Sequence, residues 1–148
     1  MLAVAILLTT IIATPKTAIQ TVSAQNPTVS ISKIYNVTEA DTTFLVYINV
    51  SDITDLQIWR INLSWNPTII KITEGDPNGI MVDTTMYNIY EGDFLKAFSN
   101  TTYFGVFGVN NDEGWIIGIW CALTTESASG SGVLAAINFT LRQKGTTK

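Results

Sequence analysis

The stretch from Leu56 to Gly75, LQIWRINLSWNPTIIKITEG, limits the fold more than any other part of the chain. Trp59, Ile61, Leu63 and Trp65 occupy alternate positions, which puts them on one face of an extended strand. Arg60, Asn62 and Ser64 fall on the other face. Asn66-Pro67-Thr68 breaks the run, because proline fixes φ and lacks the donor that a central strand needs. Ile70 and Ile72 resume the alternation, and Gly75-Asp76-Pro77-Asn78-Gly79 ends it. A strand with one aromatic and aliphatic face requires a second sheet to cover it.

The rest of the chain repeats this grammar. Strands are expected over 29–34, 43–50, 86–90, 102–109, 115–124 and 133–142. Between them lie turn formers: Asn36 to Thr42, Ser51-Asp52 with Thr54-Asp55, a loop from Gly75 to about Met86, the Gly92-Asp93-Phe94-Leu95 corner, the hairpin tip Asn110 to Gly114, and a flexible SASGSG loop at 127–132. No segment has a period of 3.6. The expectation is an all-β fold, a single antiparallel β-sandwich of about nine strands.

At 148 residues the chain holds one domain. Met1 to Ala13 is almost wholly apolar, yet too short to span a bilayer, which needs about 20 apolar residues. Val22 and Ala24 supply the small residues of a signal-peptidase site, so 1–24 reads as a secretory signal peptide or, because no Lys or Arg precedes the apolar run, an uncleaved anchor. An extra buried strand is disfavoured, since nothing in 2–13 alternates. The domain is then 25–142, and 143–148 is a polar tail or the start of a linker. The formal net charge of −4 argues against nucleic acid and anionic membranes as partners.

The chain has no histidine, which removes Ser-His-Asp and Cys-His catalysis and most zinc sites. The single cysteine, Cys121, shares the parity of Ile117, Ile119 and Leu123, and reads as a buried inert thiol. Asp112-Glu113 and Glu91/Asp93 are loop carboxylates, better read as solvating charges than as a hydrolase pair. Asp76, Asn78 and Asp83 offer hard oxygens but also form turns, and the turn reading is preferred. No enzyme activity, metal or cofactor is expected. Asn36, Asn49, Asn62, Asn100 and Asn138 each head an Asn-x-Ser/Thr glycosylation sequon. Of these, Asn49, Asn62 and Asn138 have the outward parity of their strands.

Over about residues 29–142 the chain resembles a cohesin domain. The resemblance rests on Asp55-Leu56 with Trp59-x-Ile61-x-Leu63-x-Trp65-Asn66-Pro67, then Ile70 and Ile72; on Gly92-x-Phe94-Leu95; and on Ser129-Gly130-Ser131-Gly132-Val133-Leu134-Ala135-Ala136-Ile137-x-Phe139, which is similar to the family's last strand G-x-G-x-L-A-x-I-x-F. Richness in Ile and Asn-x-Thr is nearest in flavour to archaeal secreted members. The resemblance implies a jelly-roll sandwich and a secreted or surface-exposed, non-catalytic receptor module whose ligand is a dockerin, in assemblies that degrade polysaccharide; relatives bind polysaccharide directly. The sequence has no paired D-x-N-x-D-G calcium loops of its own. In the family, strands 56–65 and 115–124 are neighbours on the sheet that meets the partner. Parity then nominates Ile58, Arg60, Ile116 and Trp120 as partner-binding residues. A carbohydrate platform would instead use Trp120, Tyr47, Tyr87 and Tyr90. A surface-layer or filament subunit, pairing through sheet edges, is a third possibility.

Overall fold

A computed structural model describes residues 26–32, 39–98, 102–124 and 126–143. The expected signal segment, most of the turn after the first strand with Asn36, and Asn100 lie outside the described residues. Among the described residues ten strands run in chain order: β1 (Thr28–Ile31), β2 (Thr43–Leu56), β3 (Ile58–Ser64), β4 (Ile70–Ile72), β5 (Ile80–Val82), β6 (Thr85–Tyr87), β7 (Ile89–Glu91), β8 (Thr102–Asn110), β9 (Trp115–Leu123) and β10 (Ala128–Leu141). One sheet has the order β1-β2-β10-β4, with β7 also paired to β10; the other is β3-β9-β8, and β5-β6 is a separate hairpin. All the pairings are antiparallel. This is the cohesin-type jelly-roll sandwich that the sequence resembles.

The chain changes sheets at Gln57, between β2 and β3. Ile48, Ile72, Ile89 and Ile137 line one inner face, Ile116, Ile119 and Cys121 the other, and all seven are fully buried. Each buried isoleucine contributes about 1.5–3 kcal/mol relative to exposure. Trp59 and Trp65 are buried as parity predicts, and Trp65 meets Phe139 edge-on at 5.3 Å. The Asn-Pro corner is an Asx turn, with Asn66 Oδ1 accepting from the Thr68 N–H at 3.0 Å.

Three expectations are corrected. The turn expected at 51–55 is absent, and β2 runs through it. Asp52 and Asp55 absorb the irregularity as residues of positive φ, opposite register shifts in β10. The expected SASGSG loop is instead the start of β10: Ser131 and Ser129 hydroxyls accept from the Asp52 and Asp55 N–H groups at 3.0 and 3.1 Å. The expected loop over 75–86 contains the β5-β6 hairpin.

The two rims of the sandwich differ. On the β4 rim, the Asn111 carboxamide accepts from the Ile72 N–H at 2.8 Å and donates to the Ile72 carbonyl at 2.9 Å, standing in for a neighbouring strand. On the β1 rim, Val29 and Ile31 pair with Val50 and Ile48 and so point to the inner face, yet they are 62% and 55% exposed.

Candidate functional site

The outer face of β3-β9-β8 is built in rows by register. Ile58, Ala122 and Tyr103 form one row, and Arg60, Trp120 and Gly105 the next. Asn62, Gly118 and Phe107 form a third. Here Asn62 Oδ1 accepts from the Gly118 N–H at 2.7 Å, and Phe107 lies between the pairs Val106↔Ile119 and Gly108↔Ile117.

The third row is irregular. Ile61 pairs with Ile119 and Leu63 with Ile116, so two residues of β9 oppose the single residue Asn62. This is a β-bulge, and Gly118 takes the left-handed conformation, φ 61°, that it requires. The extra residue reverses the parity of β9 on its far side. Ile119, Cys121 and Leu123 point inward as predicted, but so does Ile116, and Ile117 is turned outward, 41% exposed. Ile116 is therefore no contact residue; it is a core side chain, because the alternation from which it was nominated is broken at Gly118.

Ile58, Arg60 and Trp120 do come together on the outer face. Ile58 is 65% exposed, Arg60 is exposed, and Trp120 is half-exposed. Arg60 and Trp120 are directly paired across β3 and β9. Sequence reasoning missed Phe107 and Tyr103, both on β8, where Gly105 and Gly108 blur the alternation; they are 62% and 56% exposed. The glycines were themselves the clue. Trp120 covers Gly105, where a Cβ would lie 2.6 Å from its Nε1, and Phe107 covers Gly118, where a Cβ would overlap its ring edge. The two rings are nearly parallel, 18° apart with centroids separated by 6.1 Å, and the Arg60 guanidinium lies 4.9 Å from the Phe107 centroid. Among the described residues no carboxylate pairs with Arg60. Among the described residues, four of the ten exposed large hydrophobic side chains, Ile58, Tyr103, Phe107 and Ile117, belong to this one face.

The other aromatic candidates lie elsewhere. Tyr47 and Tyr90 flank Ala136 on the first sheet, and Tyr87 is on β6. They form no row with Trp120. Tyr90 donates to Asp76 Oδ2 at 2.7 Å, and burial pushes its phenol up to about 12, with that bond and the carboxylate charge acting the same way. Asp76 Oδ1 accepts from the Asn78 N–H at 2.8 Å, which, with the Tyr90 bond, holds its carboxyl below the usual range. One oxygen of Asp76 thus serves the turn and the other ties the turn to Tyr90 on β7. Cys121 is buried, and burial pushes its thiol up to about 12, reinforced by its 3.4 Å hydrogen bond to Glu91 and the charge there.

Asn62 stands on the aromatic face itself. Asn49 is half-buried on β2. Asn138, given outward parity by the sequence, is half-buried, and its Oδ1 is buried with no hydrogen-bond partner among the described residues.

No protein-family model matches the sequence, and no curated protein matches it. Solved structures do. A type II cohesin–X–dockerin complex from Acetivibrio cellulolyticus aligns with TM-score 0.65 and 16% identity, covering 82% of this chain and 75% of that one. A type II cohesin domain from the cellulosome of the same organism gives TM-score 0.62 and 14% identity over 83% and 72% of the two chains. The second type II cohesin module of its adaptor scaffoldin gives 0.61 and 19% over 85% and 74%. The fold is that of type II cohesin domains.

Proposed function

We propose that this cohesin-fold domain is a non-catalytic receptor module that works outside the cell and binds a dockerin-type protein on the outer face of β3-β9-β8. The observation that carries the reading is the patch of Ile58, Tyr103, Phe107, Ile117 and Trp120 around Arg60, which no carboxylate of the described residues pairs. Contiguous exposed apolar surface marks an interaction site, and Trp, Tyr and Arg supply most interface hot spots. The preformed sheet loses little entropy on binding. The matching partner surface is apolar with a carboxylate set to meet Arg60. Solved domains of the same fold come from a cellulosome, and one was captured with a dockerin, which supports both the partner class and the setting.

Titration calorimetry with a recombinant type II dockerin tests this. Trp120→Ala and Phe107→Ala should each weaken binding at least tenfold, the change expected of a hot spot. Tyr47→Ala, on the other sheet, should leave it unchanged. The near-parallel Phe107 and Trp120 rings with Tyr103 on the same face favour polysaccharide stacking as a second reading. Glycan-array binding lost on Trp120→Ala, with no dockerin binding by the wild type, would replace the first reading with the second.

A further inference from the structure

We propose that the Asn62 carboxamide is a positioning group that holds the β9 bulge, and with it the contact face, and that its sequon is left unmodified for that reason. The consequence for binding rests on the reading of the face given above; the effect on the bulge does not.

A bulge leaves one residue out of the strand ladder. At this one Gly118 is buried, so its N–H must find an acceptor or remain orphaned. The acceptor is Asn62 Oδ1, at 2.7 Å. Asn62 is the single β3 residue opposite the two-residue bulge, so its side chain reaches the freed donor directly across the strands. The hydrogen bond fixes more than one amide. With Gly118 left-handed, Phe107 lies over it, and Arg60 lies over Phe107. The bulge also decides that Ile117 rather than Ile116 faces outward, since a one-residue change of register exchanges the faces of a strand. Asn62 is thus connected to Phe107, Arg60 and Ile117 through one hydrogen bond.

The same geometry bears on the sequon Asn62-Leu63-Ser64. Nδ2 is bonded to the carbon that carries Oδ1, which is seated against Gly118. A sugar on Nδ2 would start from the middle of the contact face, beside Phe107, and cover it.

The test uses the full chain and three variants: Asn62→Ala, Asn62→Asp, which keeps an oxygen at the acceptor position, and Ser64→Ala, which removes the sequon and keeps the clamp. The first readout is hydrogen exchange of the Gly118 amide by NMR, which needs no partner. Asn62→Ala should speed that exchange at least about fivefold, the change expected for the loss of one net hydrogen bond. Asn62→Asp and Ser64→Ala should remain within about twofold of wild type. The second readout is affinity for the type II dockerin, expected to fall with Asn62→Ala and to be restored by Asn62→Asp. Unchanged Gly118 exchange in Asn62→Ala, or equal acceleration in Asn62→Asp, would overturn the clamp. A glycan found on Asn62 of protein from its native source would overturn the unmodified sequon. If wild-type protein binds no dockerin, the receptor reading fails while the exchange data still decide the clamp.

Discussion

Replacing Gly118 by alanine introduces two separable costs. The first is conformational. Gly118 has φ 61°, and a Cβ in the left-handed region costs about 1–2 kcal/mol. The second is steric. The new methyl would overlap the Phe107 ring edge and lie 3.1 Å from Arg60 Nε, so ring and guanidinium must both move. That forfeits the Phe107–Trp120 contact, about 0.5–1.5 kcal/mol, and an exposed cation–π contact of about 0.5–1 kcal/mol. Part of the ring contact re-forms after displacement, so Gly118→Ala should destabilise the domain by about 2–3 kcal/mol. In a Phe107→Ala background the clash with the ring is gone and the exposed Arg60 side chain can swing away from the methyl, so the same substitution should cost little beyond the backbone share, about 1–2 kcal/mol. Urea unfolding of the four proteins of this cycle, followed by tryptophan fluorescence, measures both numbers and their difference. A Gly118→Ala midpoint equal to wild type would refute the left-handed bulge. An equal cost in both backgrounds would refute the seating of Phe107 on Gly118.

Ile48 and Ile31 face the same side of the first sheet, but Ile48 is fully buried and Ile31 is 55% exposed. Ile48→Ala should cost about 2–5 kcal/mol and Ile31→Ala under about 1 kcal/mol in urea unfolding; equal costs would mean that the β1 rim is covered. The native Cys121 thiol, pushed up to about 12, should resist a thiol reagent at pH 8 and react fully in denaturant, whereas rapid stoichiometric labelling of the folded protein would place it at the surface. Tyr90 holds its proton longer when folded, so its contribution is constant below pH 10 and is lost as pH rises from 10 towards 12. A spectrophotometric titration should show a tyrosine ionising near 12 that disappears in Tyr90→Phe, and Tyr90→Phe should flatten the alkaline decline in stability. The Asp76 carboxyl is shifted the other way: its contribution is present above its unfolded value and is lost as pH falls through the lower folded one, so Asp76→Asn should flatten the acid limb.

The sandwich, its central strands and most of its core were legible because alternation survives wherever a strand is regular. The Trp59 to Trp65 face and the inward side of β10 from Ala135 to Leu141 follow from period two, and the Asn110 to Gly114 hairpin from its turn residues. Apart from the short β5-β6 hairpin, which pairs in regular register, the errors share one cause. A bulge inserts a residue without altering composition, so parity counted through it comes out reversed. At Gly118 this exchanged Ile116 and Ile117. At Asp52 and Asp55 residues that usually form turns took positive φ inside a strand, and the turn expected there proved to be strand. The serines of SASGSG looked like a loop because their role, accepting from two bulged amides, depends on β2 residues more than seventy positions away. Glycine spacing in β8 hid Phe107 and Tyr103 for a related reason: Gly105 serves an aromatic ring on the adjacent strand, and only the register reveals which one.

The register also bears on whether association uses a sheet face or a sheet edge, which separates a receptor module from a filament subunit. The β1 edge is four residues long, without a charged residue, and open among the described residues. A strand added there gains at most about four ladder bonds, each worth a net 0.5–1.5 kcal/mol, and the partial covering of Val29 and Ile31. Bringing two molecules together costs about 4–15 kcal/mol, so this edge alone offsets association only marginally. The face of β3-β9-β8 is three strands wide and carries an exposed, stacked aromatic pair, two exposed isoleucines and a guanidinium that no carboxylate of the described residues pairs. Burial of its apolar side chains yields about 1.5–3 kcal/mol for each one fully covered, and the rings are already held in place by the glycines beneath them. By these magnitudes the sheet face has the greater capacity to sustain association, as the proposed receptor reading requires, and the β1 edge could add only to an association that another surface already supports.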